Sequence, residues 1–178
     1  MLVTVDTNIL IWGVRHDSTP GQEFMIDRAV AFLAWLDAND HKLVLTATSI
    51  AEYFIGAPPD AVAKEMKSIA SRFKIIPFDT RAALVAAELR SDKSFISSLR
   101  DTVGKSAPAI KCDVVLVATA KAHGVQKIYS NDDDIRALSL RCGLPYSPLP
   151  EPADLAQLTS PPVDRPAEVR SLFDDMAG

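Results

Sequence analysis

Along this chain, short apolar or β-branched runs give way repeatedly to longer stretches with helical spacing. LVTV (2–5), KLVLT (42–46), KIIPF (74–78) and KIYS (127–130) predict strands. NILIWG after the first strand begins a helix, and EFMIDRAVAFLAWLDAND sets Phe24, Met25, Ala29, Phe32, Leu33 and Leu36 on one helical face. SIAEYFIGA predicts a helix with Ser49 as N-cap and Pro58 close to its end. Residues 59–72 and RAALVAAELRS read as two more helices, the second capped by Asp79 or Thr80. Residues 91–111 are polar and basic and predict a helix followed by the loop GKSAPAIK. DVVLVATAKAH is apolar nearly all round, which predicts a buried helix beginning at Asp113 and ending at Gly124 as C′. NDDDIRALSLRCG adds a turn and a short helix. This β-α alternation predicts a parallel sheet of four to five strands with helices on both faces.

The chain has 178 residues, 48% hydrophobic and 24% charged, which suits a globular domain with a proper core. No apolar run approaches the roughly 20 residues of a membrane span. The start lacks the pattern of a signal peptide. Cys112 and Cys142 offer neither a disulfide framework nor a CxxC spacing. A reduced, cytoplasmic protein without membrane contact is expected.

Charge divides the chain at residue 150. Removing the six acids and two bases of 150–178 from the totals of 23 and 19 leaves 17 of each sign. The division predicts a domain over 1–149 and an acidic extension over 150–178. Pro150, Pro152, Pro161, Pro162 and Pro166 rule out one long helix there. AEVRSLFDDM can still form a short helix, with Val169, Leu172, Phe173 and Met176 on one face. That stripe is expected to dock on its own domain or a second subunit, away from any catalytic rim.

Asp6 raises the first chemical question, because a carboxylate ending a buried strand is costly unless its charge is needed. In an open α/β sheet, functional groups gather beyond the carboxyl ends of the strands. Asp6 follows strand one, Asp132 follows strand four, Asp113 precedes it by one helix, and Glu52 lies after strand two. Two carboxylates about 4 Å apart repel by roughly 4 kcal/mol at an effective dielectric near 20. Converging acids therefore call for cations, and an oxygen-only set favours Mg²⁺ or Mn²⁺ over zinc. Each acid also has a plainer reading: Asp6 and Asp113 as caps, Glu52 as a helix acid, Asp133 as a solvated turn residue.

The remaining chemistry is sparse. His16, His41 and His123 have no ligand or triad spacing, and His123 suits a helix C-terminus. Cys112, Trp12 and Trp35 read as packing residues. No GxxxxGK or GxGxxG occurs, and Asn8 stands where a DxD phosphatase start needs an acid. Arg90, Lys93, Arg100, Lys105 and Lys111 outnumber Asp92 and Asp101, which offers either a solvated helix pair or contacts to an RNA backbone.

VDTNIL, Glu52 in SIAEYF, KCDVVLVATAKAHGV and IYSNDDDI together resemble the PIN domain family, in matching order across residues 1–140. The resemblance implies a three-layer α/β/α fold and a divalent-metal-dependent endoribonuclease using Mg²⁺ or Mn²⁺. Many bacterial members of this length are VapC-like toxins of VapBC-type toxin–antitoxin modules, which pair as homodimers and are masked by an antitoxin. Carried over, the acidic quartet is Asp6, Glu52, Asp113 and Asp132, with Asp134 as a secondary acid. Asn8 and Ser130 match the residues that orient the carboxylates. Two features depart from the family: Ile135 stands where many members carry Phe, and the chain runs past the usual end near residue 145. A nuclease of RNA maturation, or a silent binding module, are the other functions this pattern admits.

Overall fold

The computed structural model describes residues 1–55, 57–104 and 106–158. Five parallel strands, β1 (Leu2–Val5), β2 (Lys42–Thr46), β3 (Lys74–Ile76), β4 (Lys127–Tyr129) and β5 (Tyr146–Ser147), form one sheet in the order β3-β2-β1-β4-β5. β1 lies at the centre, with Val3 opposite both Leu43 and Lys127. Side chains alternate between two cores, as the strand period requires. Val44 and Ile128 face one core with Ile110, Val114 and Leu138, while Leu45 and Tyr129 face the other with Val3, Val5 and Phe32. Both faces are covered, so the fold is the three-layer α/β/α arrangement.

Nine helices among the described residues cover this sheet. α1 (Thr7–Leu10) continues as a π-helical turn over Ile11–Arg15, and α2 (Phe24–Ala38) packs on that turn. A Cβ at Gly13 would lie 2.6 Å from Leu33 Cδ1 and 3.3 Å from Ala29 Cβ, so a larger residue would have to displace Leu33 and press on α2. α3 (Ala47–Tyr53), α4 (Pro59–Arg72), α5 (Thr80–Ser91), α6 (Lys93–Val103), α7 (Ala107–Ala122), α8 (Asp133–Arg141) and α9 (Pro152–Leu158) follow. None is long and apolar enough to cross a membrane among the described residues.

Four boundaries differ from the sequence reading. α3 is capped by Thr46 rather than Ser49: Thr46 is extended and its Oγ1 accepts from Ser49 N at 3.1 Å. α7 begins at Ala107, so GKSAPAIK is not a loop throughout and Asp113 lies inside the helix rather than at its start. Ser106 supplies the cap through Ala109 N at 3.4 Å, and Pro108 is tolerated in a first turn, whose N–H groups lack helical acceptors. β3 and β4 stop before Pro77 and Ser130, and β5 is too short to show a period in sequence. The glycine expected after α7 does close it, with Gly124 at φ +71°.

Part of the 150–178 extension packs on the fold. α9 rests against α2, Leu155 is buried among the β1-side core, and Arg28 pairs with Glu151 at 2.6 Å. The Arg28 guanidinium also donates to the Leu149 and Pro150 carbonyls. The helix expected in AEVRSLFDDM lies outside the described residues.

Candidate active site

The strand order reverses between β1 and β4, and the crevice beyond their carboxyl ends is where such sheets bind ligands. A cavity of about 490 Å³ opens there, lined by Asp6, Thr7, Asn8, Glu52, Asp113 and Asp132. The structure therefore brings the predicted quartet to one place. Arg15, Leu116 and Ile135 complete much of the wall.

Asp6 is the most constrained of the four. Its backbone N donates to the Tyr129 carbonyl at 3.1 Å, which fixes it to the neighbouring strand. One carboxylate oxygen accepts from Ile9 N at 3.0 Å and caps α1, so the plainer reading of Asp6 also holds. The other oxygen accepts from Ser130 Oγ. Burial raises its pKa from 3.8 to about 6; the Ser130 and Ile9 hydrogen bonds oppose that rise, and the Asp132 charge adds to it.

Ser130 is fully buried and works in two directions. While its hydroxyl donates to Asp6, its Oγ accepts from Asp132 N at 3.0 Å, which orders the start of the NDDD turn. Tyr146 OH donates to the Ser130 carbonyl at 2.7 Å. Ser130 thus links the Asp6 carboxylate after β1 to the Asp132 backbone after β4. Asn8 is exposed on the cavity wall, and no hydrogen bond joins it to a carboxylate among the described residues.

Of the other cavity acids, Glu52 comes from α3 and Asp113 from the second turn of α7. Thr7 Oγ1 donates to Glu52 Oε2 at 2.6 Å and fixes its direction. Cys112 feels both acids: burial raises its thiol pKa, and the charges of Glu52 and Asp113 raise it further. A raised thiol pKa disfavours the reactive thiolate, which agrees with a packing role.

Asp134 is placed differently. It is fully buried, one oxygen accepts from its neighbour Ile135 N at 3.0 Å, and it does not line the cavity. Asp133 is exposed, as expected of the solvated acid in that turn.

Two polar cavity residues escaped the sequence reading. Thr7 stands between Asp6 and Asn8, and its position within VDTN was the only available signal. Arg15 comes from the π-helical turn, where helical spacing fails. Its guanidinium donates to the Tyr53 carbonyl and lies 4.1 Å over the Tyr53 ring, with Glu65 at 3.9 Å.

The donors suit a hard divalent cation. The four acids that line the cavity offer only oxygens, the ligands such a cation prefers. Among the described residues, no three acid, His or Cys side chains stand close enough together to enclose a metal. Mg²⁺ keeps several waters and takes only one or two direct carboxylates, so a wide acid-lined cavity fits it better than a closed cage.

Of the expected RNA contacts, Arg90, Lys93, Arg100 and Lys111 line a second cleft, between α5, α6 and α7. Lys105 lies outside the described residues.

The PIN domain family model matches residues 3–139. No curated protein matches the chain. The fold is similar to the crystal structure of VapBC2 from Rickettsia felis bound to a DNA fragment from their promoter. That likeness has 17% identity and a TM-score of 0.58, covering 84% of this chain and 100% of that one. It is also similar to VapBC-1 from nontypeable Haemophilus influenzae, at 13% identity and a TM-score of 0.56, covering 84% and 98%. At these identities the likeness is one of fold.

Proposed function

The chain belongs to the PIN domain family, and from that premise we propose that it is a divalent-metal-dependent endoribonuclease of the VapC toxin type. The observation that carries this reading is the convergence of Asp6, Glu52, Asp113 and Asp132 on one cavity at the sheet's switch point. Similarity of fold to the two VapBC structures supports the toxin reading over a nuclease of RNA maturation.

A bound Mg²⁺ or Mn²⁺ would supply an activated water and stabilise charge developing on the phosphate. Asp6, Glu52, Asp113 and Asp132 are the residues that would hold it. Ser130 keeps Asp6 and Asp132 in register, and Thr7 aims Glu52. With a pKa of about 6, Asp6 is mostly ionised at pH 7, and exchanging its remaining proton for a cation costs little. Arg15, held on Tyr53, brings a cation to the edge of an otherwise acidic cavity and favours approach of a phosphate.

On this reading the protein pairs as a homodimer and is masked by a cognate antitoxin. Expression of the chain alone should arrest growth, and expression of Asp113→Ala should not. Harmless expression of a chain that cleaves RNA in vitro would give the maturation reading precedence.

A further inference from the structure

Arg15 is the one base among the described residues that line the acid cavity. Thr7, Ile11 and Arg15 reach that wall at steps of four along the first helical stretch. An α-helix drifts by about 40° over every four residues, so a regular helix would carry Arg15 away from Thr7. The wider π-helical turn over Ile11–Arg15 offsets that drift, and it closes at His16 with φ 59°. Turns of this kind are frequent at functional sites.

The guanidinium is held in place with part of its fork uncommitted. Its Nη2 donates to the Tyr53 carbonyl, and its carbon lies 4.1 Å over the Tyr53 ring. Glu65 of α4 is the counter-charge, but Arg15 Nε and Glu65 Oε2 stand 3.9 Å apart, beyond hydrogen-bond distance. That Oε2 is buried and accepts no hydrogen bond among the described residues. Leaving a buried carboxylate oxygen without a donor is unfavourable, so a pair that served only to tie the π-helical turn to α4 would close the gap. The Arg15 side chain keeps 25% of its exposure, and its remaining N–H groups make no hydrogen bond among the described residues. A planar guanidinium fork matches two oxygens of one phosphate.

We propose that Arg15 binds a phosphate of the RNA strand beside the one being cleaved, and that Glu65 competes with that phosphate for the guanidinium. On the nuclease reading, on which this rests, the four acids serve the phosphate that reacts. Arg15 then holds a neighbouring phosphate by direct contact rather than by attraction at a distance. Tyr53 keeps the guanidinium at the cavity edge whichever anion it faces.

The test is strand binding by the full-length chain carrying Asp113→Ala, a change that keeps the strand intact. Binding is read by fluorescence anisotropy of a labelled oligouridine with Mg²⁺, between about 50 and 200 mM salt. Adding Arg15→Gln should weaken binding about tenfold. It should also flatten the slope of log affinity on log salt by about 0.7, the share of one phosphate on a single strand. Glu65→Gln should act in the opposite direction and tighten binding about threefold, the order of a partly exposed ion pair. The combined variant should bind as Arg15→Gln does. An unchanged salt slope in Arg15→Gln, or no binding by the Asp113→Ala chain itself, would overturn the proposal. Weaker binding in both single variants would overturn it in favour of a structural tie. Should Arg15→Gln fail to fold, Glu65→Gln decides alone, and no tightening there overturns the proposal. Only binding is read, so the nuclease reading is tested apart, by the loss of cleavage in Asp113→Ala.

Discussion

Helix α7 has two faces, and they border opposite environments. Ala109, Asp113 and Leu116 border a cavity lined by four acids. Ala107, Ile110, Lys111 and Val114 border a cleft rimmed by four cations. The acidic side is held by directional bonds: Asp6 to Ile9 and Ser130, Ser130 to Asp132, Thr7 to Glu52. The basic side is an apolar floor with exposed side chains around it. Side chains fixed by hydrogen bonds suit chemistry, where a misplacement of about 1 Å can cost a hundredfold in rate. Long exposed cations over an apolar floor suit a contact that forms and releases.

The comparison predicts its largest contrast in cleavage. Asp113→Ala should lower the rate of RNA cleavage by about 100-fold or more, since even supporting residues of metal sites are worth 10- to 100-fold. Lys111→Ala, two residues away on the other face, should leave kcat within about twofold and act on KM in a salt-dependent way. Comparable losses of kcat in the two variants would erase the distinction between the faces.

A second difference should appear in stability without metal. Asp6 binds its proton more tightly folded, at about 6, than at its ordinary 3.8. Its contribution is therefore most favourable below about 3.8 and is lost as pH rises through about 6. The shift corresponds to about 3 kcal/mol over that whole window. Asp6→Asn should then raise the metal-free melting temperature at pH 7, and its advantage should shrink as pH falls towards 4. A constant difference across pH, read by thermal melts of both proteins, would contradict this assignment of the buried charge.

The smallest effect concerns orientation. Thr7→Val keeps the shape near Glu52 but removes the donor at 2.6 Å. Cleavage should fall by about tenfold, with the melting temperature nearly unchanged. Steady-state kinetics on a defined RNA would show it, and an unchanged rate would mean that Glu52 needs no support.

How much of this was legible follows from the same contrast. Asp6 and Asp132 were legible because each follows a strand whose pattern is visible, LVTV and KIYS. Asp113 was placed at the start of its helix because GKSAPAIK read as a loop, whereas Ser106 had already started α7. Arg15 and Gly13 were not legible. Both lie in a π-helical turn, whose spacing matches neither period, and Gly13 matters only through its contact with α2. The basic cleft showed in sequence only as a local surplus of charge. Its apolar floor required the packing of α6 beside α7, which no single segment encodes.

The central claim, that the acid cavity is a metal-dependent RNA-cleaving centre built on Asp6, is tested most directly by comparing wild type with Asp6→Asn. Both are assayed on single-stranded RNA with Mg²⁺ or Mn²⁺ and again with the metal chelated. The account predicts cleavage by wild type only when metal is present, and loss of most activity in Asp6→Asn while that variant melts no lower without metal. Cleavage by Asp6→Asn at the wild-type rate, or wild-type cleavage that survives chelation, would contradict it.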